Sequence, residues 1–167
     1  QISLDSLDAN RQDTLCRHPG FTRRVIANIQ RYARLQSEKH FRLNVNCVVT
    51  PENVDDVPDL LRFADAEGVR FTFSPQLRPD GQIDDSLLAP DVMDRYRAAV
   101  DAVLRYKRST DVVMDIVPFV KHLRDLKPGP CYPWLTPRVY PDGTMRFPCS
   151  IICRSAPSIL ELGSWAR

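Results

Sequence analysis

The chain has 167 residues, of which 43% are hydrophobic and 26% charged, a composition that fits a globular protein and excludes a disordered or fibrous one. Lys and Arg total 23 against 21 Asp and Glu, so the net charge of +2 by itself indicates neither a nucleic-acid nor a membrane-surface partner. The longest apolar runs fall far short of the ~18 residues that a membrane span needs, which predicts a soluble protein with no membrane partner.

The N-terminus and the cysteine count bear on the origin of the chain. Gln1–Asp5 begins directly in a strand-like run, without an initiator Met or a signal segment, so we expect a fragment of a longer protein. Five cysteines are an odd number in a chain that is large enough to fold without disulfides, which favours a reducing, cytoplasmic location. The prolines are concentrated after Ser74, and this predicts a boundary past the middle of the chain.

The first elements alternate between strand and helix. The apolar run over 2–5 predicts a strand, and the polar segment 6–12 predicts a loop. Apolar residues then recur every three or four positions over 21–35, which predicts a helix. Over 43–49 the apolar Leu43, Val45, Cys47 and Val49 alternate with Asn44, Asn46 and Val48, and we expect a strand that is buried largely on both faces.

The next segments repeat this alternation. An apolar stripe over 54–64 predicts a second helix, which ends at Gly68, and 69–73 predicts a third strand. The order strand, helix, strand, helix, strand indicates an α/β fold with a parallel sheet. Ligands of such sheets bind at the carboxyl ends of the strands, so we expect a site there.

The second half of the chain is less regular. A proline-rich loop over 74–90 leads into a third predicted helix over about 91–107. Residues 112–117 fit either a further strand or the lead-in to a short helix that ends near Leu126, and six residues are too few for periodicity to decide. Residues 138–147 predict a β-hairpin.

Three cysteines flank this hairpin and form the strongest candidate metal site. Because a hairpin returns the chain to its starting edge, we expect Cys131, Cys149 and Cys153 to converge, with Cys16 and Cys47 apart from them. Thiolates are the ligands that iron-sulfur clusters and Zn²⁺ prefer, although both sites usually take four protein ligands. The alternative is that the three are buried apolar thiols, or one disulfide and a spare thiol.

A second candidate site lies at the carboxyl ends of the predicted strands. Ser3 and Asp5 are separated by one residue, so their side chains project to the same side, where a hydroxyl and a carboxylate suit the hydroxyls of a ribose. The alternative is a turn or helix cap. Asn46 is a polar residue in an apolar strand, so it either hydrogen-bonds across the sheet or reaches a ligand. We expect the three side chains to line one pocket.

Taken in order, these motifs resemble the second half of the barrel of radical S-adenosylmethionine enzymes. The matching segments are Ile2-Ser3-Leu4-Asp5, Gly20-Phe21 with Val25 and Asn28-Ile29, Asn44 to Thr50 with Asn53, and Gly68-Val69. The tail is similar to the auxiliary-cluster extensions of that family, known as SPASM or twitch regions. Its matching residues are Cys131, Pro141-Asp142-Gly143 and Pro148-Cys149-Ser150.

The resemblance implies a partial TIM-type (β/α)₆ barrel over 1–127 and an auxiliary-cluster region over 128–167. It implies binding of S-adenosylmethionine and a [4Fe-4S] cluster for radical-based hydrogen abstraction from a peptide or small-molecule substrate. It also implies an electron donor such as a flavodoxin or ferredoxin. Ser3 and Asp5 would hold the ribose or methionine part of the cofactor, with Asn46 beside it, and the tail cysteines would ligate a second cluster.

One departure from the family leaves a rival interpretation open. The family's cluster motif, Cys-x3-Cys-x2-Cys, belongs upstream of Gln1, so we expect this chain alone not to cleave S-adenosylmethionine. The rival is a catalytically silent α/β binding module with a thiolate-bound metal, Zn or iron-sulfur, in its tail.

Overall fold

The computed structural model describes residues 1–126 and 138–146. The chain divides into two compact units, the larger of which comprises Gln1–Arg78 and Gln82–Lys127. The described residues of the smaller unit are 79–81 and the hairpin at 138–146.

The larger unit is an α/β structure with a three-stranded sheet and five α-helices in its described residues. In chain order the elements are β1 (Ile2–Ser3), α1 (Ala9–Leu15), α2 (Phe21–Lys39), β2 (Asn44–Val49), α3 (Val57–Ala66), β3 (Arg70–Pro75), α4 (Pro90–Ser109) and α5 (Val117–Arg124). Short 3₁₀ turns at Val54–Asp56 and Asp85–Leu88 precede α3 and α4. Among the described residues, none of the helices has both the length and the apolar composition of a membrane span.

The three strands are parallel and lie in the order β1, β2, β3. Ser3 lies opposite Asn46, and Asn46 lies opposite Thr72, so these residues form one row across the sheet. Parallel neighbours need a crossover connection, which α2 supplies between β1 and β2 and α3 supplies between β2 and β3. The predicted α/β class and parallel sheet are therefore confirmed.

The two faces of the sheet differ in polarity. One face carries buried apolar residues that join the hydrophobic core: Leu4, Val45, Cys47, Val49, Phe71 and Phe73. The residues between them are half-buried or exposed, and we call their side the polar face: Ser3, Asp5, Asn44, Asn46, Val48, Arg70, Thr72 and Ser74. The expectation that β2 is buried on both faces was wrong, because its burial alternates from residue to residue.

Residues 112–117 combine both of the alternatives that the sequence left open. Val113 pairs in parallel with Phe71, and the amide of Phe71 donates a hydrogen bond to the carbonyl of Val112 over 2.8 Å. Three residues beyond Met114, α5 begins at Val117. A short strand-like pairing on β3 is thus followed directly by a helix.

The first βα connection contains a helix where the sequence predicted only a loop. Helix α1 starts after Asp8, whose carboxylate accepts a hydrogen bond from the amide of Arg11 as an N-cap. Its buried residue is Gln12, so it presents no apolar stripe to periodicity. Helix α2 follows from Phe21, where the predicted helix begins.

In the smaller unit, residues 138–146 form the predicted hairpin. Strands β4 (Arg138–Val139) and β5 (Met145–Arg146) pair antiparallel. In the turn, the amide of Thr144 donates to the carboxylate of Asp142 over 2.9 Å, and Gly143 has a φ of 81°, a conformation that glycine adopts without strain.

Candidate functional site

The side chains of Asn44 and Asn46 are each hydrogen-bonded to the hydroxyl of Thr72 on the polar face. The Thr72 hydroxyl donates to Asn46 Oδ1 over 3.1 Å and accepts from the side-chain nitrogen Nδ2 of Asn44 over 3.0 Å. Asn46 therefore bonds across the sheet, which is the first of the two roles considered for it. Its row partner Ser3 is exposed and has no side-chain hydrogen bond to another described residue.

Asp5 lies at the point where β1 stops pairing with β2. The amide of Leu4 makes the last backbone bond, to the carbonyl of Asn46 over 2.9 Å, and the amide of Val48 then donates to Asp5 Oδ1 over 2.7 Å. The carboxylate thus takes the place of a backbone acceptor. Burial raises the pKa of Asp5, and the hydrogen bond from Val48 offsets part of that rise.

A fully buried amide on α1 holds the backbone next to Asp5. Gln12 Oε1 accepts hydrogen bonds from the amide of Asp5 over 2.9 Å and from the amide of Ser6 over 2.8 Å. The Gln12 amide group donates to the sulfur of Cys16 over 3.2 Å. These bonds satisfy both ends of a polar side chain that has no exposed surface.

A second fully buried amide connects the ends of β1 and β2. Asn53 Nδ2 donates to the carbonyl of Asp5 over 3.0 Å and to the carbonyl of Val48 over 2.9 Å. Its Oδ1 accepts from the amide of Thr50 over 2.7 Å. One side chain therefore joins the two loops that follow neighbouring strands.

The sequence did not predict the roles of Gln12, Asn53 and Thr72. Gln12 lies in a segment that the sequence predicts as a loop, and Asn53 enters the sequence analysis only among the residues of the family resemblance. A polar residue within the apolar run 69–73 was the available signal for Thr72, just as it was for Asn46. Partners for both lie on a different strand, which local sequence does not reveal.

The predicted metal ligands Cys131, Cys149 and Cys153 lie outside the described residues, so their convergence stays a prediction. Of the other cysteines, Cys47 is buried on the apolar face of β2, where burial raises the pKa of its thiol. Cys16 lies at the end of α1. Within 1–126 and 138–146, no group of His, Cys, Asp and Glu side chains is arranged to hold a metal ion.

Comparisons with known proteins do not assign the chain to a family. No protein-family model matches it. A search of the curated proteins also finds no match. Ser3 and Asp5 present an exposed hydroxyl and a carboxylate whose second oxygen, Oδ2, has no hydrogen bond to any described residue.

Proposed function

We propose that this chain is the cofactor-binding part of a radical S-adenosylmethionine enzyme barrel and that its polar face binds the nucleoside part of the cofactor. The observation that carries the proposal is the pair formed by Ser3 and Asp5 at the carboxyl end of a parallel sheet. A carboxylate oxygen accepts from a ribose hydroxyl, and a serine hydroxyl both donates and accepts. This donor and acceptor set fits vicinal hydroxyls.

The architecture supports the same proposal. Strands and helices alternate from β1 to α5, and each strand of the three-stranded sheet lies beside the next strand in the chain. A (β/α)₆ barrel that is open on one side has this order. Its interior would correspond to the polar face, with Asn46 and Thr72 lining it beside the cofactor.

The proposal also includes a cofactor, iron-sulfur clusters, a substrate and an electron donor. In that family, S-adenosylmethionine and a [4Fe-4S] cluster together supply a radical that abstracts hydrogen from the substrate. Thiolates ligate such clusters, so Cys131, Cys149 and Cys153 are the candidates for an auxiliary cluster. The substrate would be a peptide or small molecule, and the electron donor a flavodoxin or ferredoxin.

Titration of the ¹⁵N-labelled chain with S-adenosylmethionine, followed by amide chemical shifts, tests the nucleoside site. We expect saturable shifts at residues 3–6 and 46–48, reproduced by S-adenosylhomocysteine and not by methionine alone. Asp5→Asn keeps the shape of the side chain but removes its charge. Hydrogen bonds to charged groups contribute about 1.5–3 kcal/mol, so this variant should weaken binding about tenfold or more.

Asp111→Asn is the matched control, because Asp111 is exposed and has no hydrogen bond or ion pair with a described residue. It should bind as the wild type does. Absence of saturable shifts, or shifts confined to residues away from the polar face, would refute the proposed function.

A further inference from the structure

Asp5 is flanked by two fully buried side-chain amides that come from different segments of the chain. Gln12 comes from α1, and Asn53 precedes the 3₁₀ turn before α3. Burying an amide is costly unless its polar atoms are hydrogen-bonded, so the partners of these two side chains explain why polar residues occupy both positions. Both have the backbone of Asp5 as a partner.

The hydrogen bonds of Asp5 leave a single polar atom over. Gln12 Oε1 accepts from its amide, Asn53 Nδ2 donates to its carbonyl, and the amide of Val48 donates to its Oδ1. Only Oδ2 has no hydrogen bond to a described residue, and this oxygen is not fully buried. Three separate elements thus fix one residue and leave one oxygen for a ligand.

We infer that Gln12 and Asn53 are positioning residues, which hold the backbone of Asp5 so that Oδ1 stays on the amide of Val48 and Oδ2 stays available to a ligand hydroxyl. This inference rests on the proposed function, since it concerns the same site. A binding-site side chain that is held in place beforehand loses less conformational entropy when the ligand binds. Without the two amides, the Asp5 carboxylate would sample several orientations.

A purely structural role is the alternative, and the titration of Asp5 separates the two. In the wild type the pKa of Asp5 lies above its ordinary value of 3.8, because of burial. The amide proton of Val48 donates to Asp5 Oδ1, so its chemical shift should follow the titration of the Asp5 carboxyl carbon. The nearby thiols of Cys16 and Cys47, whose pKa values are raised, stay neutral in acid and do not obscure it.

Gln12→Met is the test variant, because methionine fills a similar volume without the hydrogen-bonding atoms. We expect the Val48 amide proton to stop following the titration of Asp5, because the carboxylate would no longer stay on that amide. Gln36→Ala is the matched control. Gln36 Oε1 accepts from the amide of Leu43 and its amide donates to the carbonyl of Gly68, so it joins loops at the amino end of the sheet. This control should lower stability and leave the titration of Asp5 unchanged.

The wild type tests the premise of the inference even if Gln12→Met does not fold: a Val48 amide proton that does not follow Asp5 overturns the inference. If Gln12→Met folds and the Val48 amide proton still follows the titration of Asp5, the role of Gln12 is structural and the inference is wrong.

The affinity for S-adenosylmethionine should fall about tenfold in Gln12→Met, as in Asp5→Asn, and stay unchanged in Gln36→Ala. If the wild type binds no S-adenosylmethionine, the proposed function fails, while the titration still decides whether Gln12 positions Asp5.

Discussion

Tyr96 offers a test of the core in which removal of an atom should raise stability. The ring lies on the buried side of α4 and has no exposed surface. Its hydroxyl is buried and has no hydrogen bond to any described residue, and burial strongly raises the pKa of the phenol. Tyr96→Phe removes the hydroxyl and leaves the packing of the ring in place.

The expected magnitude follows from the cost of burying an unpaired hydroxyl. That cost is about 1–3 kcal/mol in proteins, and the loss of the few contacts of one oxygen atom offsets part of it. We therefore expect Tyr96→Phe to raise the free energy of unfolding by about 1 kcal/mol. For a chain of this size that change corresponds to a rise in Tm of about 2–4 °C. Urea and thermal unfolding followed by circular dichroism measure both quantities.

Tyr106→Phe is the matched control on the same helix. The Tyr106 hydroxyl donates to Asp65 Oδ2 over 2.9 Å near the surface, so its removal should lower stability slightly or leave it unchanged. A loss of more than about 0.5 kcal/mol in Tyr96→Phe, beyond the usual range of neutral surface changes, would refute the reasoning. It would mean that the Tyr96 hydroxyl has a partner, such as a buried water molecule.

Further predictions concern the start of α2 and the tail cysteines. Asp13→Ala should speed amide hydrogen exchange in the first turn of α2, because the Asp13 carboxylate accepts hydrogen bonds from the hydroxyl and amide of Thr22. These bonds lower the pKa of Asp13, so its stabilising contribution is present above pH 3.8, the ordinary pKa, and is lost as the pH falls through the lowered pKa. The free energies of unfolding of the wild type and Asp13→Ala should therefore converge in acid. Anaerobically prepared chain should lose iron and sulfide in Cys149→Ala but not in Cys16→Ala, and equal iron in both would contradict the cluster prediction.

The parts of the fold that sequence predicted well are those held by repeated apolar burial. On α3 the buried residues Val57, Leu60, Leu61 and Ala64 recur at helical spacing, so the helix could be predicted from the pattern alone. Strand β3 alternates in the same recognisable way. In both cases the residues of the buried face recur at regular intervals along a single helix or strand.

The candidate site was harder to predict, because polar side chains hold it and their partners are distant in sequence. Helix α1 has Gln12 as its buried residue, and the burial of an amide is favourable only once Asp5 and Ser6 are in place to bond it. The partner of Asn46 is Thr72, 26 positions along the chain. Local patterns contain neither relationship, so Ser3, Asp5 and Asn46 could be proposed as neighbours while the amides behind them could not.

The unequal pairing of the strands has a consequence for how the protein is made. Only two residue pairs join β1 to β2, whereas six join β2 to β3. On the ribosome β1 emerges before β2, so its pairing with β2 cannot form until Asn44–Val49 has been synthesised. We expect β2, α3 and β3 to form the first stable intermediate during translation. A nascent chain arrested before β3 would then leave β2 without its longer pairing partner and open to proteases and chaperones.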